Sequence, residues 1–149
     1  MTIQENIQEN GAALRPETTT GPKRSSVGYD LVLCTKRLVR AFDDPECARE
    51  CKALIEKVLG DAGAALAEAE VHGDFVIVRV AGVPADMSPA KAAAAVRSAT
   101  SAPLRAKYPR ISALSSLWNA ALLARNAGET TLEDALAFKR SLDPRKTMR

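Results

Sequence analysis

The stretch Ala64–Val80, AALAEAEVHGDFVIVRV, holds the chain's strongest structural signal and its chief ambiguity side by side. Its second half, Phe75–Val80 (FVIVRV), is β-branched and aromatic without a breaker, so it reads as a strand. Its first part, Ala64–Val71, is made of helix formers yet alternates with period two, placing Glu68 and Glu70 on one face; helix and strand both stay open there. Towards the N-terminus, Tyr29–Cys34 (YDLVLC) is a short apolar run bounded by Gly28 and a basic turn, the pattern of a buried strand. Asp44-Pro45-Glu46 opens a helix, with Asp as N-cap, Pro in the first turn and an acid at the positive end of the dipole. Its apolar positions Cys47, Cys51, Leu54, Ile55 and Val58 recur at three and four, and Gly60 is read as its end.

Towards the C-terminus, Ser88-Pro89 starts a second helix by the same capping logic, and Ala92–Ala95 makes it slim enough to lie close on a sheet. Pro103 is expected to end or kink it. Trp118–Arg125 is apolar, with helix and strand both open. Thr130-x-x-Glu133 reads as a capping box for a last helix through about Leu142. The order predicts an α+β fold, a ferredoxin-like antiparallel sheet with helices on one face.

At 149 residues, 46% of them apolar, the chain can bury one core. Residues 1–27, rich in Gln, Asn, Thr, Gly and Pro with no apolar period, read as a disordered leader. Residues 28–142 read as one domain and 143–149 as a basic tail. There is no apolar run long enough to span a bilayer and no signal-peptide core after the polar start. Three cysteines (Cys34, Cys47, Cys51) and the single His72 make neither a four-ligand zinc set nor a disulfide framework. The expectation is a cytoplasmic protein with reduced thiols and no membrane partner.

Charge is uneven although the net is only +3. Asp43–Asp74 holds nine acids against Arg49, Lys52 and Lys57. Met87–Gly128 holds no acid but six cations, Lys91, Arg97, Arg105, Lys107, Arg110 and Arg125, and a second basic cluster, Lys36, Arg37 and Arg40, follows the first strand. Either these are solvated faces, or one basic side meets a polyanion.

Catalytic signatures are scarce. No Gly-rich phosphate loop, Gly-x-Ser-x-Gly elbow or Cys-x-x-Cys pair occurs. Cys47 and Cys51 share a helix face, a pattern of core burial more than of metal or redox use. His72 sits in a turn beside Gly73 and Asp74, and Glu68 and Glu70 fit a solvated strand as well as a metal site.

Taken in order, four segments resemble the single-tyrosine HUH (His–hydrophobic–His) transposases, the IS-two-hundred type and REP-associated relatives. YDLVLCTKRLVRAF (Tyr29–Phe42) is similar to the opening strand and basic turn of that family, and EAEVHGDFVIVRV (Glu68–Val80) to its Glu-x-Glu-Val-Met-Pro-Asp-His-Val-His-Leu-Leu-Val. SPAKAAAAVRSATSAPLRAKYP (Ser88–Pro109) and SLWNAALLARNAG (Ser116–Gly128) resemble the two segments that follow. The likeness spans roughly residues 28–142.

The resemblance implies a site in which two histidines and a polar residue of the last helix hold a divalent metal while a tyrosine attacks the scissile phosphate. Here the histidine positions carry Phe75 and Ile77, the tyrosine position falls on Leu122, and the last-helix polar position falls near Leu142. Tyr29 and Tyr108 match no nucleophile position. The resemblance thus implies a degenerate copy with no catalytic residue, no metal and no cofactor. It also implies a homodimer with sheets side by side, the last helix crossing to its partner, and a basic face for DNA hairpins or single strands. Lys36, Arg37, Arg97, Arg105, Lys107 and Arg110 are the expected phosphate contacts. Two alternatives stand beside this inactive DNA-binding protein: a dimeric protein-interaction module, and a metal-dependent nuclease relocated to His72, Asp74 and Glu70.

Overall fold

The computed structural model describes residues 28–142; the expected leader (1–27) and basic tail (143–149) lie outside them. In chain order the elements are β1 (Tyr29–Cys34), α1 (Pro45–Asp61), β2 (Ala65–Val71), β3 (Phe75–Ala81), α2 (Pro89–Lys107), a short α3 (Pro109–Ser112), β4 (Leu123–Asn126) and α4 (Leu132–Ser141). The strands form one antiparallel sheet in the order β2-β3-β1-β4, the ferredoxin-like arrangement. The two open segments resolve as strands: Ala65–Val71 becomes an edge strand, and of Trp118–Arg125 only the end joins β4, at the other edge.

Side chains of the central pair, β1 and β3, alternate between two buried faces. Leu31, Leu33, Val76, Val78 and Val80 join the large core beneath α1 and α2, with Cys51, Ile55, Leu59, Val96 and Leu104. Val32, Cys34, Phe75 and Ile77 point the other way, into a second core closed by Ala135 of α4. Helices on one face therefore holds for α1 and α2 only. The last helix covers the opposite face because β1 and β3 leave apolar side chains on both. β2 is more exposed, and its alternation sets Glu68 opposite Arg79 and Glu70 opposite Ile77 on the second face.

Capping follows the sequence in two helices and departs in others. Asp44 accepts the Glu46 N–H at 2.9 Å, and Ser88 Oγ accepts the Lys91 N–H at 3.1 Å. Gly60 lies inside α1; the chain turns out of the helix at Gly63, whose φ of +90° suits glycine. The capping box is Thr131 with Asp134, one residue beyond the expected Thr130 and Glu133, because the Thr130 N–H is committed to Asp30. Pro103 does not end α2, which runs on to Lys107. It sits on the exposed side, where water can take the carbonyl its missing amide leaves free. Among the described residues, no helix is long and apolar enough to cross a membrane.

Ile77 is fully buried between β1 and α4. Ile77→Ala should lower stability by about 2–5 kcal/mol, the usual cost of a large-to-small core change. Urea unfolding measures it; a loss below about 1 kcal/mol would mean that α4 does not close this face.

Candidate nucleic-acid interface

The second face has a polar zone and an apolar one. In the polar zone Asp30 and Arg79, opposite each other in the β1–β3 register, pair at 2.9 Å with Asp30 fully buried. The same Asp30 oxygen accepts the N–H groups of Gly128 (3.0 Å) and Thr130 (3.1 Å), while Arg79 donates to the Thr130 carbonyl (3.1 Å). Arg79 also donates to Glu70 at 2.9 Å and stands 3.6 Å from Glu68. Those donors hold the Glu70 carboxyl below the usual carboxylate range.

In the apolar zone Val32, Cys34, Phe75 and Ile77 lie beneath α4, with Leu123, Leu136, Phe138 and Leu142 packed around them. Lys139 closes the rim, its Nζ 3.0 Å from the buried Asp74 carboxylate and 5.9 Å from the Phe75 ring centroid. His72 stacks on Phe75, ring centroids 4.5 Å apart. Burial, and then the neighbouring Asp74 charge, pushes the Cys34 thiol up to about 12.

The six expected phosphate contacts divide. Arg97 sends one guanidinium nitrogen to the carbonyls of Ala120 (3.0 Å) and Ala121 (3.2 Å). Arg105 donates to Ser101 Oγ (3.1 Å) and the Leu114 carbonyl (2.9 Å). Spaced four apart on α2, Arg97, Ser101 and Arg105 thus form a stripe that sews the 114–121 loop to the helix, helped by the Leu117 N–H to Ser101 and the Trp118 indole N–H to Thr100. Lys107 is turned to α1, where Glu50 pairs with it at 3.0 Å. Their charge is partly committed inside the fold, a fact that one-dimensional charge counting does not register.

Lys36, Arg37 and Arg110 gather instead at the end of the sheet where β1 stops and β3 starts. Lys36 Nζ donates to Ser115 Oγ (3.0 Å), and Arg110 to the Arg40 carbonyl (2.9 Å). Arg40 joins them, paired with Asp43 at 2.8 Å and 3.9 Å from Asp74, its guanidinium lying where a Cβ on Gly73 would be. Arg37 is exposed and has no ion pair or side-chain hydrogen bond to another described residue. Arg37 and Leu38 both have positive φ, 56° and 54°, a costly conformation for residues with a Cβ, of order 1–3 kcal/mol each.

Residues 23–138 match the family model described as transposase IS200 like. The chain belongs to the IS200-like transposase family. No curated protein sequence matches. Among solved structures, a proposed transposase from Deinococcus radiodurans R1 superposes with a TM-score of 0.66 at 17% identity, covering 85% of this chain and 96% of that one. A REP-associated tyrosine transposase bound to a REP hairpin superposes with a TM-score of 0.50 at 9% identity, covering 86% and 68%. Both likenesses are of fold.

Against the metal site that family resemblance implies, the second face fits poorly. Phe75, Ile77 and Leu142 offer no donor atom, and Cys34 is held as a thiol by burial. The relocated set does not converge either: Asp74 is taken by Lys139 and Arg40, and Glu70 by Arg79, leaving His72 3.6 Å from Glu70. Among the described residues no group of three or more His, Cys, Asp or Glu is placed to hold a metal ion. Leu122 does not share a site with Phe75 and Ile77. It lies just before β4 and packs against the α1–α2 core, while Leu123, the first residue of the strand, turns to the second face. The aromatic side chain brought to that face is Phe138, which the apolar spacing of Ala135, Leu136, Phe138 and Leu142 on the last helix could have signalled.

Two outcomes follow. Arg97→Ala should cost about 1–2 kcal/mol, as two loop carbonyls lose a charged donor, and leave the salt dependence of any DNA binding unchanged. Urea unfolding beside a salt series tests both. Stability should also fall as pH drops below about 4.5, the ordinary Glu value, because a carboxyl held low in the fold contributes above that value and loses its contribution as it protonates. Glu70→Gln should remove part of that fall, read from unfolding midpoints between pH 3 and 6.

Proposed function

We propose that this chain is a catalytically inactive member of the IS200-like transposase family, a cytoplasmic homodimer that binds hairpin or single-stranded DNA as a regulator or accessory factor. One observation carries the loss of chemistry: the strand positions matching the family's imidazole pair are Phe75 and Ile77, buried with Val32 and Cys34 under α4. Phe75 and Ile77 offer neither a metal nor a phosphate a ligand, and an apolar pocket is the stable outcome once those charges no longer enter. The nucleic-acid partner is supported by the family, by the hairpin carried by the structurally similar REP-associated enzyme, and by the basic end formed by Lys36, Arg37, Arg40 and Arg110. The phosphate contacts are drawn from that end; Arg97, Arg105 and Lys107 act mainly within the fold.

A second reading has its own support. With half of the expected cations committed internally, the chain also fits a dimeric interaction module that kept the family fold without its DNA face.

Fluorescence anisotropy with hairpin, duplex and single-stranded probes separates the two. About three phosphate contacts predict a slope of log affinity against log salt near −2 to −3, with hairpin preferred over random duplex. Absence of binding below about 10 μM at about 50 mM salt, where non-specific binders already bind, would move the assignment to the interaction module. On a denaturing gel with magnesium or manganese present, neither nicked probe nor a protein-linked band should appear. A linked band would overturn the inactive assignment.

A further inference from the structure

We propose that the Lys36–Val39 turn is the element by which this chain grips nucleic-acid phosphate, with Arg37 as its principal contact; this rests on the nucleic-acid reading above. Arg37 (φ 56°, ψ 19°) and Leu38 (φ 54°) are the two central residues of a tight turn closed by the Val39 N–H to the Lys36 carbonyl at 3.2 Å. Where both central residues must be left-handed, Asn-Gly is the favoured pair and Arg-Leu a poor one.

The turn is held rigidly in this conformation. Thr35 Oγ1 donates to the Val39 carbonyl at 2.7 Å, and the Lys36 N–H donates to the Leu117 carbonyl at 2.8 Å. Leu38 accounts for itself, since its side chain packs against the second core. Among the described residues nothing in the packing accounts for Arg37. It is exposed, makes no ion pair or side-chain hydrogen bond with another described residue, and stands where Gly or Asn would relieve strain without losing such a bond to one of them.

Backbone strain at an exposed residue is explained when the side chain it presents meets something outside the fold. Its neighbours say what. Lys36 and Arg110 stand on the same end, while Arg40 is largely neutralised by Asp43. A guanidinium fork whose donors meet no other described residue suits the paired oxygens of a phosphate, and a backbone already fixed has little ordering left to lose on binding. The turn therefore spends local stability on an arginine set in advance for a phosphate.

The test compares the full chain with its Arg37→Gly and Arg37→Asn variants, by urea unfolding and by anisotropy with hairpin and single-stranded probes across a salt series. Both variants should be at least as stable as the parent, bind about tenfold more weakly near physiological salt, and show a slope shallower by about 0.7–0.9. If the parent binds and the variants match it within about twofold at unchanged slope, the proposal fails while the DNA reading stands. If the variants are less stable than the parent, Arg37 has a structural role and the strain argument fails. If the parent binds no probe, the DNA reading fails and this proposal with it.

Discussion

A single buried carboxylate, Asp30, sets the geometry of the second face. It sits fully buried at the start of β1, and one of its oxygens receives three donors: the Arg79 guanidinium from β3 and the N–H groups of Gly128 and Thr130 from the loop leaving β4. A buried charge survives only when paired and hydrogen-bonded, so losing the Arg79 guanidinium would leave Asp30 with its two N–H donors and no counter-charge, a destabilising change. Because Thr130 is committed to Asp30, the next residue, Thr131, becomes the N-cap, and α4 starts where its apolar side falls over Phe75 and Ile77.

That placement connects the fold to the functional reading. The four-stranded sheet belongs to a fold that superposes on a solved relative over most of both chains, so the scaffold is shared. One face of that scaffold is filled by apolar side chains. Side chains able to bind metal or attack phosphorus would need water, open space and charge there; Val32, Cys34, Phe75, Ile77 and the α4 side chains provide a dry, close-packed layer. Lys139 covers the rim by pairing with Asp74, so even the charged residues nearest that face serve closure. The cations assigned to nucleic acid in the proposed function lie at the end of the sheet, around the strained 36–39 turn.

How far the residues alone carried this picture depends on whether a signal is local. β1 and β3 were legible because strands buried on both faces read as near-continuous apolar runs, and Tyr29–Cys34 and Phe75–Val80 do so apart from the facing pair Asp30 and Arg79. β2 was ambiguous because Ala and Glu favour a helix in isolation; cross-strand pairing with β3 overrides that preference, and only the two-residue alternation of Glu68 and Glu70 hinted at it. The last capping box lies one residue beyond the one its spacing predicts because two Thr-x-x-acid frames overlap, and the choice between them is made by Asp30, a hundred residues away. The same limit governs the cations. Arg97, Arg105 and Lys107 look like solvated charge along the chain, but their partners are carbonyls and a carboxylate brought up by folding. Segment likeness aligns Leu122 with the tyrosine position but carries no information on which core a residue joins.

The face bearing Phe75 and Ile77 is an apolar core closed by α4. The most direct measurement is the stability of the double variant Phe75→His, Ile77→His, by urea unfolding at neutral pH with a chelator present. Imidazoles forced into a dry pocket without hydrogen-bond partners should cost several kcal/mol, and more as the pH is lowered and they must charge. A double variant as stable as the parent would show that this face is open to water, and would contradict the account.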